Sequence, residues 1–276
     1  MINSKTPILF FDTETTGILK DDQNNVTSNG SMIQLAYRKL ENWKKIDENL
    51  FFMTDTRIEI GSMAVHGIYP KMLEEKSEGK YLDDDARKII SEVMSENIIV
   101  AHNIDFDRDV LAKEGISYTD KQIDTLNVAK VLWSEWVLKN SLWEDPEYVN
   151  LQYLRYFFEL YEINDAQWVE ECTTAHDAFG DVVVLENVFY SLFNIIKNKL
   201  NLEDEEVLEK MMEMTAKEFI LIKTMRIGKY RGKSFEEVSN MDSGYLNWII
   251  WADFTEDIKY TCKVWLGQIE DKKFFS

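Results

Sequence analysis

The chain has 276 residues, of which 45% are hydrophobic, with 15 Phe, 12 Tyr and 8 Trp, ample material for a sizeable core. Cys172 and Cys262 are too few and too far apart for a disulfide framework or a CxxC metal site. No stretch approaches 18 uncharged apolar residues and the N-terminus lacks a charged-then-apolar leader, so a cytoplasmic protein is expected. A net charge of −19 argues against tight, unspecific coating of duplex nucleic acid.

The first predicted element is a strand near residues 7–12, in which Leu9, Phe10 and Phe11 form a buried run. It ends in Asp12 and Glu14, with Thr15, Thr16 and Gly17 as the closing turn. Side chains alternate along a strand, so the two acids share a side. Crowded carboxylates at a buried strand end repel each other and are costly to desolvate. A divalent cation removes both penalties, and hard oxygen ligands suit magnesium or manganese. Asp12 and Glu14 therefore read as half of a metal site.

The polar segment at residues 20–30 reads as a loop beside that pair. Strands are expected near 31–40, 46–54, 97–101 and 119–124, and helices near 83–95, 103–114, 124–137, 149–161 and 176–198. A three-stranded meander followed by strand–helix alternation is an α/β pattern. Asn103 reads as the cap of the helix that carries Asp105, Asp107 and Asp109 on separate faces, and Asp124 as a second cap. Residues 134–150, with Trp136, Trp143 and Pro146, look like an elaboration. His176 stands five residues before Asp181 at the start of an apolar helical run.

The acidic stretch 201–214 is expected to be a linker or a solvated helix, with Met211, Met212 and Met214 packing on a neighbour, and it marks a boundary after a domain of residues 1–200. Residues 217–276 hold ten Lys or Arg and nine Asp or Glu, a net of +1 that leaves −20 for residues 1–216. Lys223, Arg226, Lys229, Arg231 and Lys233 lie in one stretch in which Gly228 and Gly232 bracket Tyr230. Such a basic turn with an aromatic suits contact with a single strand. It equally suits a β-hairpin surface whose Tyr245, Trp248 and Trp251 fill a small core, the preferred reading of those three rings.

Three segments together resemble the DEDDh exonuclease family, proofreading 3′→5′ exonucleases of ribonuclease H-like fold. Asp12 and Glu14 match its DxE motif, Asp107 its HNxxFD-like motif, and His176 with Asp181 its HxxxxD motif. A Tyr-type relative would carry Tyr where Asp177 stands. The pattern from Gly228 to Ile250 resembles the small C-terminal domain of exodeoxyribonuclease X-like proteins. The resemblance implies a ribonuclease H-like mixed sheet of five strands flanked by helices, plus a small C-terminal domain.

It also implies two magnesium or manganese ions per site, held by Asp12, Glu14, Asp107 and Asp181, with His176 as general base. Thr15, His66 and Gly67 are the family's candidates beside the terminal nucleotide, the last two against a purely structural turn. Asn103, Lys229, Tyr230, Arg231 and Lys233 complete the substrate-contact candidates. The implied activity is hydrolysis of nucleoside 5′-monophosphates from 3′ ends, DNA before RNA, with uses such as proofreading and DNA repair. The rival readings are RNA trimming, a non-catalytic binding module, and a subunit tethered to a polymerase or other repair protein.

Overall fold

The computed structural model describes residues 7–19, 30–41, 44–135, 137–138, 146, 148–162, 178–226 and 228–275. The chain forms two compact units, one made of Met1–Leu126 and Tyr148–Thr215, the other of Asn127–Glu147 and Ala216–Ser276.

The first unit is built on a five-stranded sheet in the order β3-β2-β1-β4-β5. Its strands are β1 (Ile8–Thr15), β2 (Met32–Glu41), β3 (Lys44–Phe51), β4 (Ile98–Ala101) and β5 (Gln122–Asp124). β1, β2 and β3 pair antiparallel, whereas β4 lies parallel to β1 and β5 parallel to β4. Parallel neighbours need helical crossovers. Here these include α1 (Ile60–His66), α2 (Pro70–Ser77) and α3 (Asp84–Glu96) before β4, and α4 (Ile104–Lys113) before β5. α5 (Thr125–Ser134) starts here and belongs to the second unit from Asn127 on, while α6 (Leu151–Phe157), α7 (Ala178–Leu200) and α8 (Asp204–Thr215) follow. This mixed, helix-flanked sheet is the ribonuclease H-like fold that the motifs imply.

β1 is central and buried on both faces, which its apolar run requires. Leu9 and Phe11 enter a core with Met94, Val110 and Leu111. On the opposite face Phe10 meets Phe189 of α7 edge-on, with ring centroids 5.1 Å apart. α7 is long and apolar enough to cross a membrane by length and composition, but most of it is buried against β1 and β2. A buried ionic cluster fixes it there. Arg38 donates to both oxygens of Asp47 at 2.7 Å and to Glu186 of α7 at 3.0 Å, and Lys45 also reaches Glu186 at 3.0 Å. Buried charges tolerate this only when paired.

The acidic stretch is not a linker. Val207, Leu208, Met211 and Met214 of α8 are fully buried, and the helix packs on β5 and α7, so the first unit runs through Thr215. Asp204, Glu205 and Glu206 occupy its first turn, where the helix dipole favours anions. Residues up to Thr215 therefore belong to the first unit, and the second resumes at Ala216.

The second unit contains α9 (Phe235–Met241), α10 (Ser243–Trp251) and α11 (Glu256–Trp265) around Met225, Phe235, Val238, Leu246, Ile249 and Cys262. The expected hairpin is only a short turn, in which Met225 N–H donates to Lys233 O at 2.8 Å and Thr224 bridges Ser234. Gly228 has φ 73°, and a Cβ there would collide with the Tyr245 hydroxyl. Ser234 and Glu237 then start α9 with a reciprocal capping box. Tyr245 borders the core, but Trp248 and Trp251 do not fill it, being 56% and 88% exposed.

Candidate active site

The site begins where β1 leaves the core. Asp12 lies opposite Ala36, whose methyl leaves room beside the carboxylate, and Glu14 lies opposite Gln34. The register slips between Glu14 and Thr15, so regular pairing stops immediately after the second acid. Asp181 sits in the first turn of α7, where the dipole favours a carboxylate. Since α7 packs across β1, its N-terminal end brings Asp181 to the pair. Asp12, Glu14 and Asp181 are all half-buried, and one ligand atom from each lies within 4.8 Å of the others. Three carboxylates this close in partial burial repel one another, and a divalent cation offsets that repulsion. The donor set is hard oxygen, so it fits magnesium or manganese.

Asp107 lies outside that three-residue cluster. It is on the inner face of α4, 2% exposed, and reaches the strand through Thr13, the residue between the two acids. Asp107 Oδ1 accepts from Thr13 N at 3.0 Å and from Thr13 Oγ1 at 2.7 Å. Burial pushes its carboxyl up to about 7, against the downward pull of the two Thr13 bonds, with nearby Asp124 adding to the rise. A cation beside it would restore the carboxylate. Asp105 instead faces outward and pairs with Arg108 at 3.1 Å.

Asn103 occupies the cap position of α4 but makes no side-chain capping bond there, contrary to the expectation. Its backbone is left-handed, with φ 73°, and its N–H donates to Asp124 Oδ1 at 2.9 Å. The same Asp124 oxygen accepts from Leu126 N at 2.9 Å, so Asp124 does cap α5. One buried carboxylate thus joins the start of α4 to the start of α5. Asp124 N–H itself donates to Thr215 Oγ1 at 2.8 Å, a second reason that α8 belongs to this unit.

His66 is a latch. Its Nδ1 accepts from Ile68 N at 3.0 Å, so in the neutral ring Nε2 carries the proton and donates to Thr15 O at 3.2 Å. Burial holds its pKa below the ordinary histidine value. With both nitrogens engaged, the ring serves the turn after β1. Gly67 closes α1 in a left-handed conformation, φ 73°, and its N–H donates to Met63 O at 2.9 Å. Thr15 hydroxyl donates to Gly17 O at 2.9 Å, which fixes the same turn. Thr15, His66 and Gly67 therefore shape the backbone beside the carboxylates.

His176 lies outside the described residues, as do Asp177, Cys172, Trp136, Trp143 and residues 20–29 of the polar loop. In the second unit Lys229 and Tyr230 both donate to Asp242 Oδ2, at 3.2 Å and 2.8 Å. Arg231 is exposed and Lys233 half-buried. Lys223 and Arg226 lie over the Trp133 ring, 5.9 Å and 5.1 Å from its centroid.

Sequence reasoning missed two residues at the site. Gln152 of α6 donates from Nε2 to Asp181 Oδ1 at 2.6 Å. Thr13 ties Asp107 to β1. No motif signals Gln152, whereas Thr13 was open to inference, because an alternating strand must send it to the face opposite Asp12.

The chain belongs to the exonuclease family: the family model described as Exonuclease matches residues 9–189. A second model, Exodeoxyribonuclease X-like C-terminal, matches residues 228–252. The chain is 23% identical over 239 residues to Exodeoxyribonuclease 10 of Escherichia coli strain K12, covering 86% of this chain and 88% of that protein. The same figures hold for Exodeoxyribonuclease 10 of Escherichia coli O6:H1. Among solved structures it is similar to one of 3′-end-specific recognition of a histone mRNA stem-loop by a 3′-exonuclease. That similarity has a TM-score of 0.43 and 10% identity, and covers 70% of this chain and 84% of the other.

Proposed function

We propose that this protein is a metal-dependent 3′→5′ exonuclease that releases nucleoside 5′-monophosphates from DNA. The observation that carries this reading is the convergence of Asp12, Glu14 and Asp181 within 4.8 Å at the end of a central strand. These three would hold divalent cations, with Asp107 contributing from the Thr13 side. Bound magnesium or manganese at such a site supplies an activated water and stabilises the leaving oxygen. Gln152 holds one oxygen of Asp181, which restricts the direction in which the other points. The His66 latch and the Thr15 hydroxyl hold the turn after β1 beside the bound strand end. His176 would take the proton from the attacking water, a task suited to a pKa near about 6.5. DNA is favoured because the relatives that cover most of the chain are named exodeoxyribonucleases.

The test is product analysis after incubation with single-stranded DNA and RNA of one sequence, in magnesium, manganese or chelator. The account expects nucleoside 5′-monophosphates in either metal, none in chelator, and faster release from DNA. Faster release from RNA would replace the substrate assignment and leave the chemistry. No mononucleotide from either polymer in either metal would remove the catalytic reading.

A further inference from the structure

The outer face of α10 carries two large rings that the core of the second unit leaves uncovered. Leu246 and Ile249 fill the inner face of this helix, while Trp248 and Trp251 are largely in solvent. Residues at i and i+3 share a helix face, about 4.5 Å apart along the axis. Two indoles left in water forgo burial that a bound partner restores.

These rings are not loosely displayed. Trp248 stacks on Tyr245, with centroids 5.5 Å apart and planes 30° apart, and Phe254 braces it edge-on at 5.8 Å. Tyr245 packs edge-on against Tyr230 at 5.1 Å, and the Lys229 ammonium lies 4.7 Å from the Tyr230 ring centre. Tyr230 hydroxyl is in turn fixed by Asp242, the residue that caps α10. A braced row of rings therefore runs from the basic turn through Tyr230 and Tyr245 to the exposed Trp248 indole, with Trp251 three residues further along the same helix face.

Braced aromatic faces beside cations are the chemistry that recognises single-stranded nucleic acid, whose unpaired bases stack on the rings while its phosphates meet the cations. A duplex hides its base faces, so it cannot use the indoles. A protein partner would be expected to cover about 800 Å². Two indoles at about 250 Å² each fall short of that. Charge favours the same region, because residues 217–276 carry a net of +1 whereas the remainder carries −20, so a polyanion meets least repulsion here.

We infer that the outer face of α10 binds single-stranded nucleic acid, with Trp251 and Trp248 stacking on bases and the Lys229–Arg231 turn meeting phosphates. This rests on the proposed nuclease reading for its choice of a nucleic acid, and it assigns a contact surface to the second unit.

The test is titration of the full chain with a labelled oligothymidine in chelator, so that nothing is cut, read by anisotropy and by tryptophan fluorescence. Wild type should bind with quenched tryptophan emission. Trp251→Ala should raise Kd about 5- to 150-fold, the effect of losing one stacked base. Trp251→Phe should recover most of that loss. The exposure of Trp251 makes the variant safe for folding, which far-UV circular dichroism checks; Trp248→Ala is the second probe. Wild-type affinity in both Ala variants would overturn the surface. The two readings separate cleanly, because hydrolysis in magnesium with Trp-independent binding leaves the nuclease and removes this surface. Trp-dependent binding without hydrolysis does the reverse.

Discussion

The two units solve opposite problems. The first concentrates negative charge, setting Asp12, Glu14 and Asp181 at the meeting of a central strand and the first turn of α7. That arrangement is tolerable only because rigid elements impose it, and because an ion can relieve it. The second unit leaves apolar rings in water on α10. Both units hold a buried ion pair, Arg38 with Glu186 in the first and Lys217 with Asp271 in the second, but in the second a small apolar core carries an exposed aromatic row. The proposed reading gives chemistry to the first unit and grip to the second, and each of the following experiments attacks one side of it.

The largest effect is expected at the carboxylates. Asp12→Ala should lower hydrolysis by on the order of 10³-fold or more, since a lost ligand forfeits several kcal/mol of metal stabilisation. Thermal unfolding in chelator should show the variant as stable as wild type or more so, because one repelling charge is gone. Wild-type turnover in this variant would remove the metal site.

Gln152 sharpens the same half. Gln152→Ala should weaken manganese binding by about 10- to 100-fold, the scale for a group that orients a ligand. Calorimetric titration with manganese reads this without turnover, and unchanged affinity would make the Asp181 bond incidental.

On the other half, replacing Lys229, Arg231 and Lys233 together with Ala should make the log–log salt dependence of single-strand binding shallower by about 2. An unchanged slope would show that the turn meets no phosphate.

The smallest effect concerns pH and Asp107. Its folded pKa, up to about 7, exceeds the unfolded carboxylate value of about 4. Burial thus favours the protonated form, so its contribution to stability is fully present below pH of about 4 and is lost as pH rises through about 7. Metal-free wild type should therefore lose stability over that window, and Asp107→Asn should lose less. Identical pH profiles of melting temperature would show that Asp107 is not the group responsible.

Much of this was legible in the chain, for physical reasons that differ by residue. β1 and β4 show because Leu9, Phe10 and Ile98–Ala101 form dense apolar runs, as strands buried on both faces must. Asp12 and Glu14 show because acids rarely end such a run without a partner. Asp107 is separable from Asp105 and Asp109 only through its motif, and burial explains the choice. α1 and α2 escaped notice because each is at most eight residues long, so helical periodicity has no room to register. α8 reads as a linker or a solvated helix because its charge density masks Val207 and Leu208, which extend the buried stripe at Met211 and Met214. Trp248 and Trp251 read as core because size and apolarity predict burial, and only their helix phase puts them outside. Gln152 gave no signal, since its bond to Asp181 joins two helices far apart in sequence.

The most direct measurement is a time course on 5′-labelled single-stranded DNA with wild type and Asp12→Ala, in magnesium and in chelator. The account predicts a ladder that shortens from the 3′ end only for wild type in magnesium. Full-length substrate in every lane, or equal ladders for both proteins, would contradict it.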